Sequence, residues 1–142
     1  MKNLSKYLKS QASNVTKRKL KALHLYANLG YNNSGDFFLG PSTKWYFENL
    51  IQEEVEWKNM SVRSHFRTEH ANSVNQNVDY VVVGGGGLML PDTNVNNVSH
   101  WQWPVENEAL RSISVPIYVI SIGYNLFHGQ RPAGSKDNSC PK

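Results

Sequence analysis

Apolar and polar residues change rhythm several times along this chain. In ALHLYANLG, residues 22–30, Leu23 and Leu25 alternate with His24 and Tyr26, and the run stops at the turn-rich GYNNSGD. That period of two predicts a strand. A helix is predicted to open at Gly40–Pro41, because proline at the first helical position lacks only an N–H that would be unpaired there. Phe47, Leu50, Ile51 and Val55 then recur at threes and fours and mark one buried face. VEWKNMSVR, residues 55–63, is predicted as a second strand, and residues 64–77 are polar without a clear period. VDYVVV, residues 78–83, is a short apolar run bounded by turn signals, the signature of a strand buried on both faces. PVENEALRSI, residues 104–113, opens on proline and is predicted helical, and VPIYVISIG, residues 115–123, is another buried-type strand.

Strands alternating with helices predict an α/β domain: an open, mostly parallel sheet with flanking helices. The domain is expected over residues 21–130. Residues 1–20 are expected to form a basic, weakly structured leader, in which Leu4, Tyr7, Leu8 and Ala12 fall at helical spacing. Residues 131–142 carry no pattern and are expected to be disordered. The chain's 142 residues suffice for one core.

Charge sharpens this picture only at the N-terminus. Residues 1–35 contain seven Lys and Arg and no acid, whereas the rest carries eight bases and eleven acids. TKRKLK is either a patch for nucleic acid or anionic lipid, or a solvated lead-in to the first strand. No basic motif interleaved with aromatics supports nucleic acid. No segment approaches the roughly 18 apolar residues of a membrane span, and the first residues lack the apolar stretch of a secretory signal. With one cysteine, Cys140, a reducing cytoplasm is the predicted setting.

Three glycine-containing segments follow predicted strands: NNSGD at 32–36, GGGG at 84–87 and GYN at 123–125. In a parallel sheet, turns there share one rim, and ligands bind outside the carboxyl ends of the strands. Asn33, Gly35, Asp36, Gly84, Gly85, Gly86, Gly87, Gly123, Tyr124 and Asn125 are therefore the candidate ligand-binding residues. GGGGLMLP has no GK[ST] and no G-x-G-x-x-G opening a helix, so neither a Walker A loop nor a bound dinucleotide cofactor is predicted. The glycines alternatively serve only close backbone packing.

Asp36 is a candidate base or hydroxyl-orienting group, or a carboxylate that locks its own loop. His128, soon after the last strand, is the other weak catalytic candidate. The five histidines show no zinc-site spacing, so no metal is predicted. His100 stands beside Trp101 and Trp103 in HWQW, a cluster suited either to stacking on a sugar or to filling a core.

With NSGD, DYVVVGGGGLML and VPIYVISIGYN in this order, the chain resembles the polysaccharide pyruvyl transferase family over roughly residues 21–130. The matching positions are Asn33, Gly35 and Asp36; Asp79 with Gly84 to Gly87; and Pro116 with Gly123. The resemblance implies the Rossmann-like half of a GT-B-type architecture. It implies transfer of a pyruvyl ketal from phosphoenolpyruvate to a saccharide acceptor in exopolysaccharide synthesis, with no further cofactor. It also implies a C-terminal domain that this sequence does not supply, so the chain is expected to be incomplete as an enzyme. The alternative is a non-catalytic module for a sugar nucleotide or another phosphorylated ligand.

Overall fold

The structure is a computed structural model that describes residues 18–27, 34–89, 96–99 and 101–124. Seven elements follow one another: β1 (Leu20–Tyr26), α1 (Ser34–Ile51), β2 (Val55–Ser61), α2 (Thr68–Asn77), β3 (Tyr80–Met89), α3 (Asn107–Ser112) and β4 (Ile117–Tyr124). The four strands form one sheet in the order β2-β1-β3-β4, and every pair is parallel. This is the predicted α/β architecture, consistent with a Rossmann-like half. No helix among the described residues is long and apolar enough to cross a membrane.

Alternation along the strands sends side chains to two faces. Leu23, Leu25, Val81 and Val83 meet Ala71 and Val74 of α2 and Ala109 of α3 in the main core. The opposite face is aromatic: the Phe47 ring of α1 packs edge-on against Trp57, Tyr80 and Tyr118. Trp103 is buried and packs edge-on against Phe66, so the HWQW segment supplies core through this indole.

The helix predicted at Gly40–Pro41 begins six residues earlier, at Ser34. Pro41 lies inside it, where it cannot donate to the Phe37 carbonyl. Gly40 is interior too, because a Cβ there would stand 2.8 Å from the Tyr26 ring. The helix ends at Ile51, and Gln52 turns the chain with a left-handed φ of 56°. Val55 consequently starts β2 and Leu50 points outward, so only Phe47 and Ile51 of the predicted buried face turn inward. Residues 68–77, without period in the sequence, form α2 and bury only Ala71 and Val74.

Two polar clamps tie the crossovers. At the start of β3, Asp79 accepts the Lys21 N–H at 2.8 Å and pairs with Arg18, and both interactions hold its carboxyl below the usual range. Between α2 and the end of α3, the Asn75 amide donates to the Ser112 carbonyl at 2.7 Å and accepts from the Ser114 N–H at 2.8 Å. Asn75→Ala removes both bonds and is expected to cost about 1–3 kcal/mol. The urea midpoint should fall at constant m-value; an unchanged midpoint would show that this clamp is idle.

Candidate functional site

The sheet order places the site. From β1 the chain crosses to β2 on one side, then passes to β3 on the other, so the direction of winding reverses between β1 and β3. A crevice opens outside the strand ends at such a switch point. Leu25 of β1 lies opposite Val83, so residues 84–89 of β3 run on past the end of β1, flanked there by β4.

The four glycines are therefore not a turn. They lie within β3, and Gly84, Gly85 and Gly86 are buried. What approaches them is the protein's own backbone. A Cβ on Gly84 would sit 1.6 Å from the Ile120 carbonyl oxygen of β4. A Cβ on Gly85 would meet Thr43 Oγ1 at 3.0 Å and the Leu39 carbonyl of α1 at 3.2 Å. Gly85 also adopts a φ of 86°, which side chains disfavour. The run thus lets β4 and α1 close on β3 together, and Gly87, only partly buried, stands nearer the rim.

The other candidates shift as well. Gly35 and the Asp36 backbone lie in the first turn of α1 rather than in a loop. Gly123 and Tyr124 close β4 instead of forming a turn, since β4 continues alongside β3 as far as the Met89–Tyr124 pair. Asn33, Asn125, His128 and the Asp36 side chain lie outside the described residues. Parallel pairing brings the start of α1 and the ends of β3 and β4 to one rim of the sheet. Asp79 of the strand motif lies at the opposite end of β3, in its clamp with Arg18 and Lys21.

Residues outside the glycine-containing segments also reach this rim. Arg63 follows β2, where the Val62 N–H donates to the Tyr26 carbonyl at 3.0 Å and joins the two strand ends. Gln102 is held beside the end of β3 by its own N–H, which donates to the Leu88 carbonyl at 3.1 Å. Arg63 Nε donates to the buried Gln102 Oε1 at 3.1 Å. That bond links the ends of β2 and β3, the strands flanking β1, and fixes an exposed guanidinium at the switch point. A cation directly after a strand was the available clue, in VEWKNMSVR.

Below the rim lies His24, fully buried on β1. Its Nε2–H donates to the Gly84 carbonyl at 3.0 Å, its ring stacks on Tyr26, and its Nδ1 has no partner. Burial, aided by the nearby Lys44 ammonium, lowers its pKa to about 4. Lys44 stands 5.9 Å from the centroid of the Tyr26 ring and 5.7 Å from that of Trp57, and its own pKa is lowered by burial. A fully buried neutral imidazole whose one N–H is committed to the Gly84 carbonyl does not exchange protons with a ligand. His24 is a structural group that carries Gly84.

Among the described residues, no three His, Cys, Asp or Glu side chains gather as a metal site would require. Cavities occur elsewhere. One of about 270 Å³ lies between β2 and α2 and includes Leu23, Met60, Phe66 and Val74 in its wall. Another, of about 540 Å³, lies at the amino ends of the strands beside Arg18, Lys21 and Asp79. Neither coincides with the switch point. The segments that follow β1 and β4 there, residues 28–33 and 125 onward, lie outside the described residues. No family model, no curated protein and no solved structure matches this chain.

Proposed function

We propose that the rim between β1 and β3 binds a phosphorylated ligand, and that the ligand is phosphoenolpyruvate in a pyruvyl transfer reaction. The observation that carries the reading is the Arg63–Gln102 link at the reversal of winding. A planar guanidinium binds phosphate or carboxylate in two-point fashion. The start of α1 adds the positive end of a helix of 18 residues at the same rim. The resemblance carried by NSGD, DYVVVGGGGLML and VPIYVISIGYN supplies the reaction. In it the methylene carbon of phosphoenolpyruvate gains a proton, and the oxygens of two sugar hydroxyls bond to the adjacent carbon as its C–O bond to phosphate breaks. Of the two hydroxyl protons, one balances that gained by carbon and the other leaves with the phosphate. A general acid and a general base perform these transfers, and the reading assigns them to a further domain facing this rim.

Titration with phosphoenolpyruvate is expected to give saturable binding and to move the amide signals of residues 34–36 and 87–89. Arg63→Gln should weaken that binding about ten- to a hundredfold, the worth of a charge-assisted pair, while the melting temperature stays within a few degrees. Absence of saturable binding at millimolar ligand would remove the reading. Saturable binding of a sugar nucleotide that is tighter than that of phosphoenolpyruvate would favour the second reading, a non-catalytic module for a sugar nucleotide or another phospho-ligand.

A further inference from the structure

Helix α1 is apolar on more sides than the fold uses. Its inner side carries Gly40, Thr43 and Phe47, all buried. Its outer side carries Phe37, Phe38, Leu39, Trp45, Tyr46 and Leu50, all exposed and reaching 66% at Phe38 and 67% at Trp45. Phe38 and Trp45 are seven residues apart, as are Leu39 and Tyr46, so the four share one side of the helix. Phe37 joins them through an edge-on contact with Phe38, ring centroids 5.4 Å apart. A helix with apolar residues all round is a buried helix.

We infer that α1 pairs with α1 of a second copy of this chain about a two-fold axis, Phe38 and Trp45 forming the centre of the contact. Three observations select this occupant. First, the area fits. Six large side chains, exposed between 40% and 67%, leave roughly 700 Å² of mostly apolar surface uncovered, taking about 200 Å² for an aromatic side chain. A stable interface needs about 800 Å² from each partner, and a monomer's largest apolar patch is typically about 300–600 Å².

Second, the stripe meets itself without electrostatic cost. Between residues 37 and 50 the only charged side chains are Lys44 and Glu48. Lys44 lies over the Tyr26 and Trp57 rings, and Glu48 accepts from the Trp57 indole N–H at 2.8 Å. A two-fold axis perpendicular to α1 runs the helices antiparallel, which also opposes their dipoles favourably. Third, the stripe lacks the marks of a membrane-surface helix, whose polar side is rich in Lys and Arg. Lys44 is the single basic residue of α1, and its last turn has none.

Sedimentation velocity on the full chain tests the pairing. The wild type is expected to dimerise reversibly. Phe38→Glu/Trp45→Glu should raise the dimer Kd at least about tenfold, as loss of central aromatic anchors does, and leave far-UV circular dichroism unchanged, since both side chains are exposed. Exposed Ser42 lies midway between them. In a Cys140→Ser background, Ser42→Cys should oxidise to a covalent dimer, whereas Ser73→Cys, on α2 across the sheet, should not. A wild type that stays monomeric at every concentration overturns the inference. So does a dimer that survives the double substitution, or equal cross-linking from both cysteines. A monomer that binds neutral lipid vesicles through these residues would overturn it too, by assigning the stripe to a membrane surface.

Discussion

Gly84→Ala is expected to abolish the native sheet. The new Cβ would stand 1.6 Å from the Ile120 carbonyl oxygen, a contact with backbone that no rotamer relieves. Either β4 leaves β3, or β3 changes a backbone that now holds φ at 153°. Both routes cost most of what β4 contributes. The loss should exceed about 4 kcal/mol, a large part of the roughly 5–15 kcal/mol that holds a domain together. Gly123→Ala is the matched control. Its Cβ would lie 3.7 Å from the nearest atom, Gly87 Cα, an ordinary contact. Chemical denaturation and the dispersion of the amide spectrum read the difference. Gly84→Ala should give a poorly dispersed spectrum, and Gly123→Ala a native one. A folded Gly84→Ala of near wild-type midpoint would show that β4 does not approach β3 as described.

Mild acid is expected to destabilise the domain through one imidazole. His24 titrates near pH 4 when folded and near 6.5 when unfolded. Between these values the unfolded chain binds the extra proton, so stability rises with pH. The contribution is complete above pH 6.5 and is lost as the pH falls through 4. The span is about 3 kcal/mol, at roughly 1.4 kcal/mol for each pH unit. The physical cause is local. A proton on Nδ1 creates a buried cation with no acceptor and the Lys44 ammonium nearby. His24→Gln should lower stability at pH 7 and flatten the slope between pH 4 and 6.5. Asp79, whose carboxyl is held low by Lys21 and Arg18, loses its contribution only below its usual range, near 3.8. The two windows therefore separate. A wild-type midpoint constant from pH 7 to 4.5 would refute the assignment.

How far the sequence reached depended on whether the cause was local. Alternation in ALHLYANLG and the apolar runs VDYVVV and VPIYVISIG announced β1, β3 and β4, because burial in a sheet acts residue by residue. Helix α2 escaped notice because two small stripes of burial, Ala71 and Val74, suffice when the sheet supplies the rest of the core. The start of α1 was misplaced because Pro41 reads as a first helical residue, whereas the packing of Gly40 under Tyr26 holds the helix together on both sides of it. Arg63 and Gln102 are 39 positions apart, and nothing in either neighbourhood announces the other.

The amino-acid sequence alone determined that strands and helices alternate, and hence that the sheet is parallel with its loops on shared rims. Only the tertiary structure decided what the glycines are for. A residue without a side chain suits a tight turn and a close strand equally, because both need the same missing Cβ. The choice rests on which atoms arrive from elsewhere in the chain, here the Ile120 carbonyl and the Leu39 backbone. The same holds for the outer stripe of α1: a periodicity names an apolar side chain, but only packing reveals that the fold leaves it uncovered.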